Sequence, residues 1–550
     1  MNEFDFIIVG AGSAGSVLAD RLSADGKYTI CVLEAGGTDL NFWIWMPIGY
    51  GKAFYNSRIN WMYRTEADPE LNGRSGYWPR GKVLGGSSSI NAMVYIRGHR
   101  DDFNDWEAMG NPGWGWNDVL PYFKQSETFE AGESECRGGS GPLYVSTIER
   151  DRHPLCEVFL RAGEEAGFTR NADFNGPDPE GVGLYQTTSK NGLRMSAARA
   201  FLAGARKRAN VRVIKHAHAS RILLEGNRAI GVAYRSGGEE RTVTARREVI
   251  VSAGSVNAPQ LLMLSGIGPP GILGAHGIPI AVERSGVGRN LQDHLGLDYL
   301  YRSRVPTLND QLRPWWGKLA QGVRYVCTRR GPLSLSVNQA GGFVRSNAEC
   351  ARPNLQLYFS PVSYTKAPPG KRPLMNPDPF SGFLLGMQPT RPSSRGHIGL
   401  RSANPLDPPE IHPNSLSTNQ DLNDMIEGCK VMRRIAATPA LQSIIEEEIA
   451  PGPAVQSDEE MLEDVRNRCS TVFHPVSTCR MGPDPANDVV DARLRVYGTE
   501  GLRVIDASIF PTLTSGNTNA PTIMVGEKGA ALILEDHGPG RSNGSVQLVP

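Results

Sequence analysis

The sequence predicts an α/β fold built around a discontinuous dinucleotide-binding module, and three observations carry that prediction. An apolar strand enters a glycine turn within the first fifteen residues. A second apolar run ends in a carboxylate at a telling distance. Further strand, turn and helix units return hundreds of residues later, after a proline-rich stretch of different character.

The first element is Phe6-Ile7-Ile8-Val9, followed by Gly10-Ala11-Gly12-Ser13-Ala14-Gly15 and a small-residue helix expected from Ser16 to Leu22. In a G-x-G-x-x-G turn, Gly10 makes the reversal, Gly12 lets backbone approach a pyrophosphate, and Gly15 lets the helix close on the strand. Tyr28 to Leu33 reads as the second strand and ends in Glu34, whose carboxylate suits ribose hydroxyls and repels a 2'-phosphate. FAD or NAD therefore fits better than NADP. Next come a Trp/Tyr/Gly-rich stretch from Phe42 to Tyr63 and the run Pro79 to Asn91, whose consecutive glycines and serines offer many N–H and hydroxyl donors. That run reads either as a second clamp on a ligand or as a surface loop, and Asn91 opening the apolar run Ala92 to Ile96 favours the clamp.

Val211 to Ile214 and Ser220 to Leu224 alternate as strands, and Glu248 to Ser252 is a buried strand meeting Ala253-Gly254-Ser255 and a helix from Ala258 to Leu264. From about residue 300 to 450 prolines accumulate, at 361, 368, 369, 373, 377 and 379, around strand-like runs Leu355 to Phe359 and Phe383 to Met387. A second domain is expected there. The chain returns to a strand at Leu502 to Ile505 and a final helix from about Pro521 to Glu535, ahead of a polar tail, His537 to Pro550, expected to be mobile.

Composition narrows the function. Lysine plus arginine (58) balance aspartate plus glutamate (57), which removes the electrostatic footprint of a nucleic-acid binder. The eight cysteines form no C-x-x-C pair, so neither a zinc ribbon nor a disulfide framework is indicated, and a reducing cytoplasm is the default. No secretory signal is expected at the N-terminus, and no apolar run approaches the ~20 residues of a membrane span. His216 and His218 could share a strand face as metal ligands, but no third ligand lies nearby in sequence, so no metal is expected.

Together these segments resemble the glucose-methanol-choline (GMC) oxidoreductases over nearly the whole chain, from Phe6 to about Glu535. Gly81 to Asn104 is similar to one family signature and Gly254 to Gly268 to the other, with Ala258 where serine or threonine is usual. Asp506 to Pro511 and Ser515 to Met524 match the family's C-terminal run. The resemblance implies a Rossmann-like FAD-binding domain with a second α+β substrate domain carrying an antiparallel sheet. It divides the chain into an N-terminal module over 1–298, a substrate segment over 299–385, a C-terminal module over 386–535 and a tail over 536–550.

For the cofactor, the resemblance implies that Glu34 holds the adenosine ribose and Ala219 lies against adenine. Val83, Gly86 and Asn91 would line the pyrophosphate and flavin, with Asp506 and Ala507 closing the ribityl and diphosphate side. Some members attach FAD through a histidine just before the position of Asn91; Ile90 stands there, so FAD is expected to be non-covalent. His474, in Val472-Phe473-His474-Pro475-Val476, is the expected general base, an imidazole that can take an alcohol's proton. The resemblance implies Asn519 as the donor to the substrate oxygen; Asn517 competes for that role, and the family's alignment, by the distance before Thr522-Ile523-Met524, favours Asn519. His294, in Asn290-Leu291-Gln292-Asp293-His294, is expected to be a packing and hydrogen-bonding residue.

The implied reaction is oxidation of a primary alcohol to an aldehyde, with electrons passed to a quinone, a redox protein or O2. Choline-oxidising relatives carry glutamate before Ala-Gly-Gly-Phe, whereas neutral Gln339 stands in that position here, so an uncharged alcohol is expected. An alcohol oxidase, a choline dehydrogenase and a non-redox FAD-containing lyase remain as alternatives. A flavin-binding protein without catalysis and an NAD-dependent dehydrogenase fit less well.

Overall fold

The computed structural model describes residues 2–364 and 376–538. Pro368, Pro369, Pro373 and the tail beyond residue 538 lie outside the described residues. Two seven-stranded sheets organise the chain.

The first sheet places Glu3–Val9 at its centre, parallel to Ile30–Glu34 on one side and to Glu239–Val251 on the other. Val211–Lys215 extends it beyond Ile30–Glu34, and Arg228–Ser236 and His218–Glu225 extend it antiparallel beyond Glu239–Val251. Leu502–Val504 pairs in parallel with the last residues of Glu239–Val251, so a segment hundreds of residues away completes the sheet. The central strands are buried on both faces, which is why they read as continuous apolar runs. Helices Ser13–Leu22 and Asn519–His537 pack against one another, closely enough that a Cβ on Gly526 would lie 3.0 Å from the Cα of Ala14. The last helix starts at Asn519, two residues earlier than expected, because Pro521 occupies a first-turn position where the missing N–H costs nothing. His537, expected in a mobile tail, ends this helix and is held to Glu248 at 2.7 Å. Burial raises the Glu248 carboxyl, but hydrogen bonds from His537 and Arg503 overcome it and bring it to about 2.

The second sheet is antiparallel, in the order Ile445–Ala450, Leu295–Ser303, Gly382–Pro389, Leu355–Ser360, Ala340–Val344, Gly181–Leu184. It is drawn from distant parts of the chain: Gly181–Leu184 comes from the first third, Ser470–Thr471 pairs with Leu295 and Gly296, and residue 298 falls inside the strand Leu295–Ser303. Helices Leu155–Glu165 and Asn419–Ala436 cover one face of this sheet. Strand alternation turns Tyr299, Tyr301, Phe383 and Leu385 into that apolar layer, and Leu300 and Leu384 to the opposite face, toward a large cavity between the sheets.

Candidate active site

That cavity has a volume of about 1200 Å³ and is lined by residues from both sheets. Glu34, Ala219, Gly10 and Gly12 lie on its wall with Gly86, Asn91, Asp506 and Ala507, and so do His474, Asn517 and Asn519. Most of the residues singled out in sequence thus converge on one space.

The glycine turn is as tight as its sequence demands. Gly10 has φ +103°, and a Cβ there would meet the carbonyl oxygen of Ser252 at 2.4 Å. Gly15 does not line the cavity; its missing side chain lets the helix close on the strand, since a Cβ would lie 1.9 Å from the Gly10 oxygen. Glu34 accepts from the Ala11 N–H at 3.0 Å and the Gly36 N–H at 2.8 Å, and burial raises its carboxyl to about 7. Asp506 accepts from the N–H groups of Gly254 and Ser508, both at 2.8 Å, with burial again raising its carboxyl. Asn91 accepts from Arg194 at 2.7 Å. Ser255, also on the wall, has a buried hydroxyl with no partner among the described residues. A cradle of bare backbone, two buried carboxylates and an orphaned hydroxyl fits a bound dinucleotide.

Val83 departs from expectation. It is fully buried among Ile44, Ala53, Ile59 and Ile90 and is not on the cavity wall; its backbone instead bridges to Gly37. Valine's apolar side chain went to the nearest apolar cluster. Ile90 does line the cavity, where a hydrocarbon offers no atom for covalent attachment.

His474 sits where the two sheets meet. Pairing of Leu295 with Thr471 sets His294 beside the loop after residue 471, and the Val472 N–H donates to the His294 carbonyl at 3.1 Å. Phe473 has φ +73°, unusual for a bulky residue, and its carbonyl accepts from Arg80 at 2.6 Å. Asp293 accepts from the His474 N–H at 2.7 Å and from the Thr471 hydroxyl, and burial raises its carboxyl to about 6. Together these contacts fix the imidazole in a strained, over-determined loop.

The proton positions in this cluster follow from its partners. His294 Nε2 lies 2.9 Å from the Thr390 carbonyl, which can only accept, so Nε2 carries the proton. Burial pulls His294 down to about 4, so the ring is neutral and its Nδ1 is a bare acceptor. His474 Nδ1, 3.0 Å away, therefore donates to it. Burial, with help from His294 and Arg80, also holds His474 well below the usual imidazole range, so this ring is neutral too and its Nε2 is bare. That lone pair points at the Asn517 amide nitrogen, 3.1 Å away. Gln356 donates to Asn517 Oδ1 at 3.3 Å and so orients the amide.

Asn517, not Asn519, is the asparagine beside His474. The Asn519 side chain, in the first turn of the last helix, instead accepts from the Ser13 hydroxyl at 2.8 Å and ties that helix to the glycine turn. The signal that separates them is Pro521, which places Asn519 inside the helix. Gln339 is also reassigned. Its Oε1 accepts from the His153 N–H at 2.8 Å on the far side of the sheet, while its neighbour Asn338 lines the cavity. His294, expected to be a packing and hydrogen-bonding residue, does hydrogen-bond, and the partner it bonds is His474, whose tautomer it sets. Asp298 lines the cavity and was not singled out in sequence. No group of three or more metal-ligating side chains occurs among the described residues, and His218 bonds the Pro405 carbonyl.

A flavoprotein oxidoreductase is the class that this fold and site define. The chain belongs to the GMC oxidoreductase family, whose N-terminal model matches residues 4–296 and whose C-terminal model matches residues 392–526. It is 46% identical over 540 residues to an alcohol dehydrogenase (acceptor) of Pseudomonas putida, covering 96% of each chain. It is 43% identical over 552 residues to an oxygen-dependent choline dehydrogenase of Vibrio vulnificus, covering 100% of this chain and 97% of that one. Among solved structures, pyridoxine 4-oxidase from Mesorbium loti superposes with a TM-score of 0.87 at 31% identity, covering 97% of this chain and 99% of that one. The protein is an FAD-dependent enzyme acting on CH–OH donors.

Proposed function

We propose that the protein oxidises an uncharged primary alcohol to its aldehyde and passes the electrons to a quinone-type or other acceptor. The observation that carries this reading is the bare Nε2 of His474 facing the Asn517 amide on the cavity wall. An alcohol oxygen seated against both from the cavity side takes over their mutual hydrogen bond, donating its proton to Nε2 and accepting from Asn517 Nδ2. His474 holds the proton while Asn517 stabilises the developing alkoxide. Bound FAD supplies the acceptor for the hydride that leaves the alcohol carbon. By accepting a hydrogen bond from the Nδ1–H of His474, His294 leaves Nε2 unprotonated and ready for the alcohol's proton. Leu300, Leu384, Phe473 and Tyr358 line the same cavity and give it an apolar wall suited to an uncharged alcohol.

Choline is the second reading, and Asp298 is the observation that favours it, as a carboxylate on the same wall. Arg468 acts against it, because its charge interacts with Asp298 and occupies the same wall. An uncharged alcohol therefore leads. The test is the visible spectrum of the purified holoenzyme, recorded anaerobically before and after each of a panel of alkanols, aryl alcohols and choline. Bleaching of the oxidised flavin by a neutral alcohol supports the proposal; a flavin that stays oxidised with every alcohol favours a lyase. Reoxidation on admitting air identifies O2 as an acceptor.

A further inference from the structure

The helix Trp315–Thr328 presents an apolar stripe to the outside. Trp315 is 77% exposed, Trp316 61%, Leu319 60%, Val323 55% and Val326 58%. Half of the ten large hydrophobic residues exposed among the described residues thus lie on one 14-residue helix. The spacing 315, 319, 323, 326 puts them on a single face, with Trp316 at its edge. Phe42, 50% exposed, stands beside the same helix, its ring 6.4 Å from that of Tyr325. A cluster this size exceeds the scattered exposed hydrophobics of an ordinary surface.

The helix is nonetheless firmly seated. Tyr325 is buried and donates to the Gly192 carbonyl at 2.9 Å, and a Cβ on Gly317 would meet the Gln311 oxygen at 2.3 Å. Tyr325 packs in one cluster with Tyr50 and Phe54, and both of those line the active-site cavity from the other side. The patch therefore covers part of the cavity's outer wall.

Charge decides what covers the patch. Residues 313–330 contain Arg313, Lys318, Arg324, Arg329 and Arg330 and no acid, in a chain whose charges otherwise balance. One carboxylate, Asp151, reaches Arg324 from a neighbouring loop at 3.7 Å. A second copy of the chain laid face to face would oppose like charges, whereas an anionic lipid surface attracts them. Tryptophans beside basic residues on an amphipathic helix are the composition that lies in a lipid headgroup layer. No helix among the described residues is long and apolar enough to cross a membrane, so the contact is with one surface.

We infer that the helix Trp315–Thr328 docks the enzyme on an anionic phospholipid surface, with the wall of the active-site cavity turned toward the lipid. The inference does not depend on which alcohol is oxidised. It is tested by co-sedimentation of the holoenzyme with vesicles of phosphatidylcholine mixed with phosphatidylglycerol, against phosphatidylcholine alone. Binding to the mixed vesicles is expected to be at least about tenfold stronger, because each basic residue near an anionic surface contributes separately. Trp315→Ser, Trp316→Ser and Leu319→Ser combined is expected to abolish binding, while the melting temperature and the oxidation of a water-soluble alcohol stay unchanged. Lys318→Gln with Arg324→Gln is expected to remove the preference for the anionic vesicles. Failure to bind either vesicle, equal binding to both, or a dimer in sedimentation velocity that the serine variant dissociates would overturn the inference.

Discussion

The two ends of the cavity hold their ligands with different materials. Around Glu34 the wall is largely backbone: Gly10, Gly12 and Gly86, with carboxylates anchored to N–H groups of Ala11 and Gly36 or of Gly254 and Ser508. Around His474 it is side chain upon side chain, from Gln356 through Asn517 and His474 to His294 and the Thr390 carbonyl. Binding and chemistry are thus separated along the cavity. A backbone cradle grips a phosphate-rich group common to many enzymes, whereas a side-chain relay sets a proton at one nitrogen and is specific to a reaction.

Removing the base should separate the two ends most sharply. His474→Ala is expected to lower kcat/KM for the best alcohol by about 10²–10⁴-fold while FAD content stays at one per chain, since a positioned general base contributes on that scale. Loss of the flavin along with activity would show that the ends are not separable.

Acid should strike the side-chain end next. His294 titrates near 4 when folded against an ordinary 6.5, so the folded state binds fewer protons and stability falls as pH drops below 6.5. The loss reaches about 3 kcal/mol by the time the folded-state value is passed. His474, lowered for the same reason, acts in the same direction. Melting temperatures of the holoenzyme between neutral and acid pH check this; a flat profile would mean that the pair is not buried and neutral. Because His474 is already neutral above its lowered value, kcat/KM should be level across neutral pH and decline only in acid.

A smaller effect is expected at the backbone end. Glu34→Gln leaves one N–H donor facing an amide NH₂, and should weaken FAD binding by about tenfold, the scale of one charged hydrogen bond. The rate of flavin reduction should hold once FAD is added in excess. The smallest effect belongs to Gln339→Glu, whose side chain faces His153 and not the cavity. The ratio of choline to alkanol kcat/KM should not move; a rise toward choline would return Gln339 to the substrate wall.

The same contrast governs how much could be read in the sequence. The glycine turn, the second strand with Glu34, and the Asp506 segment are contiguous, and their chemistry lies in backbone conformation that the residue types themselves dictate. They appear where expected. The side-chain end depends on register. Leu295 pairing with Thr471 brings His294 to His474, and nothing local in either segment announces it. Strand alternation sends Asn338 inward and Gln339 outward, a one-residue distinction that motif spacing does not resolve. Val83 shows the same failure in the clamp, where an apolar residue followed the nearest apolar cluster. The family's alignment favours Asn519 over Asn517, and only the folded start of the last helix shows that Asn517 lies beside His474 while Asn519 bonds Ser13.

In the proposed reaction Asn517 and His474 form the alcohol-oxidising pair, while Asn519 serves the cofactor end. The most direct test of this division is the anaerobic rate of flavin bleaching at saturating alcohol in Asn517→Ala and Asn519→Ala, each reconstituted with excess FAD. Asn517→Ala is expected to slow bleaching by about 10²–10³-fold, as loss of an oxyanion donor does, and Asn519→Ala to stay within a few-fold of the unaltered enzyme. A slow Asn519→Ala beside a near-normal Asn517→Ala would contradict it.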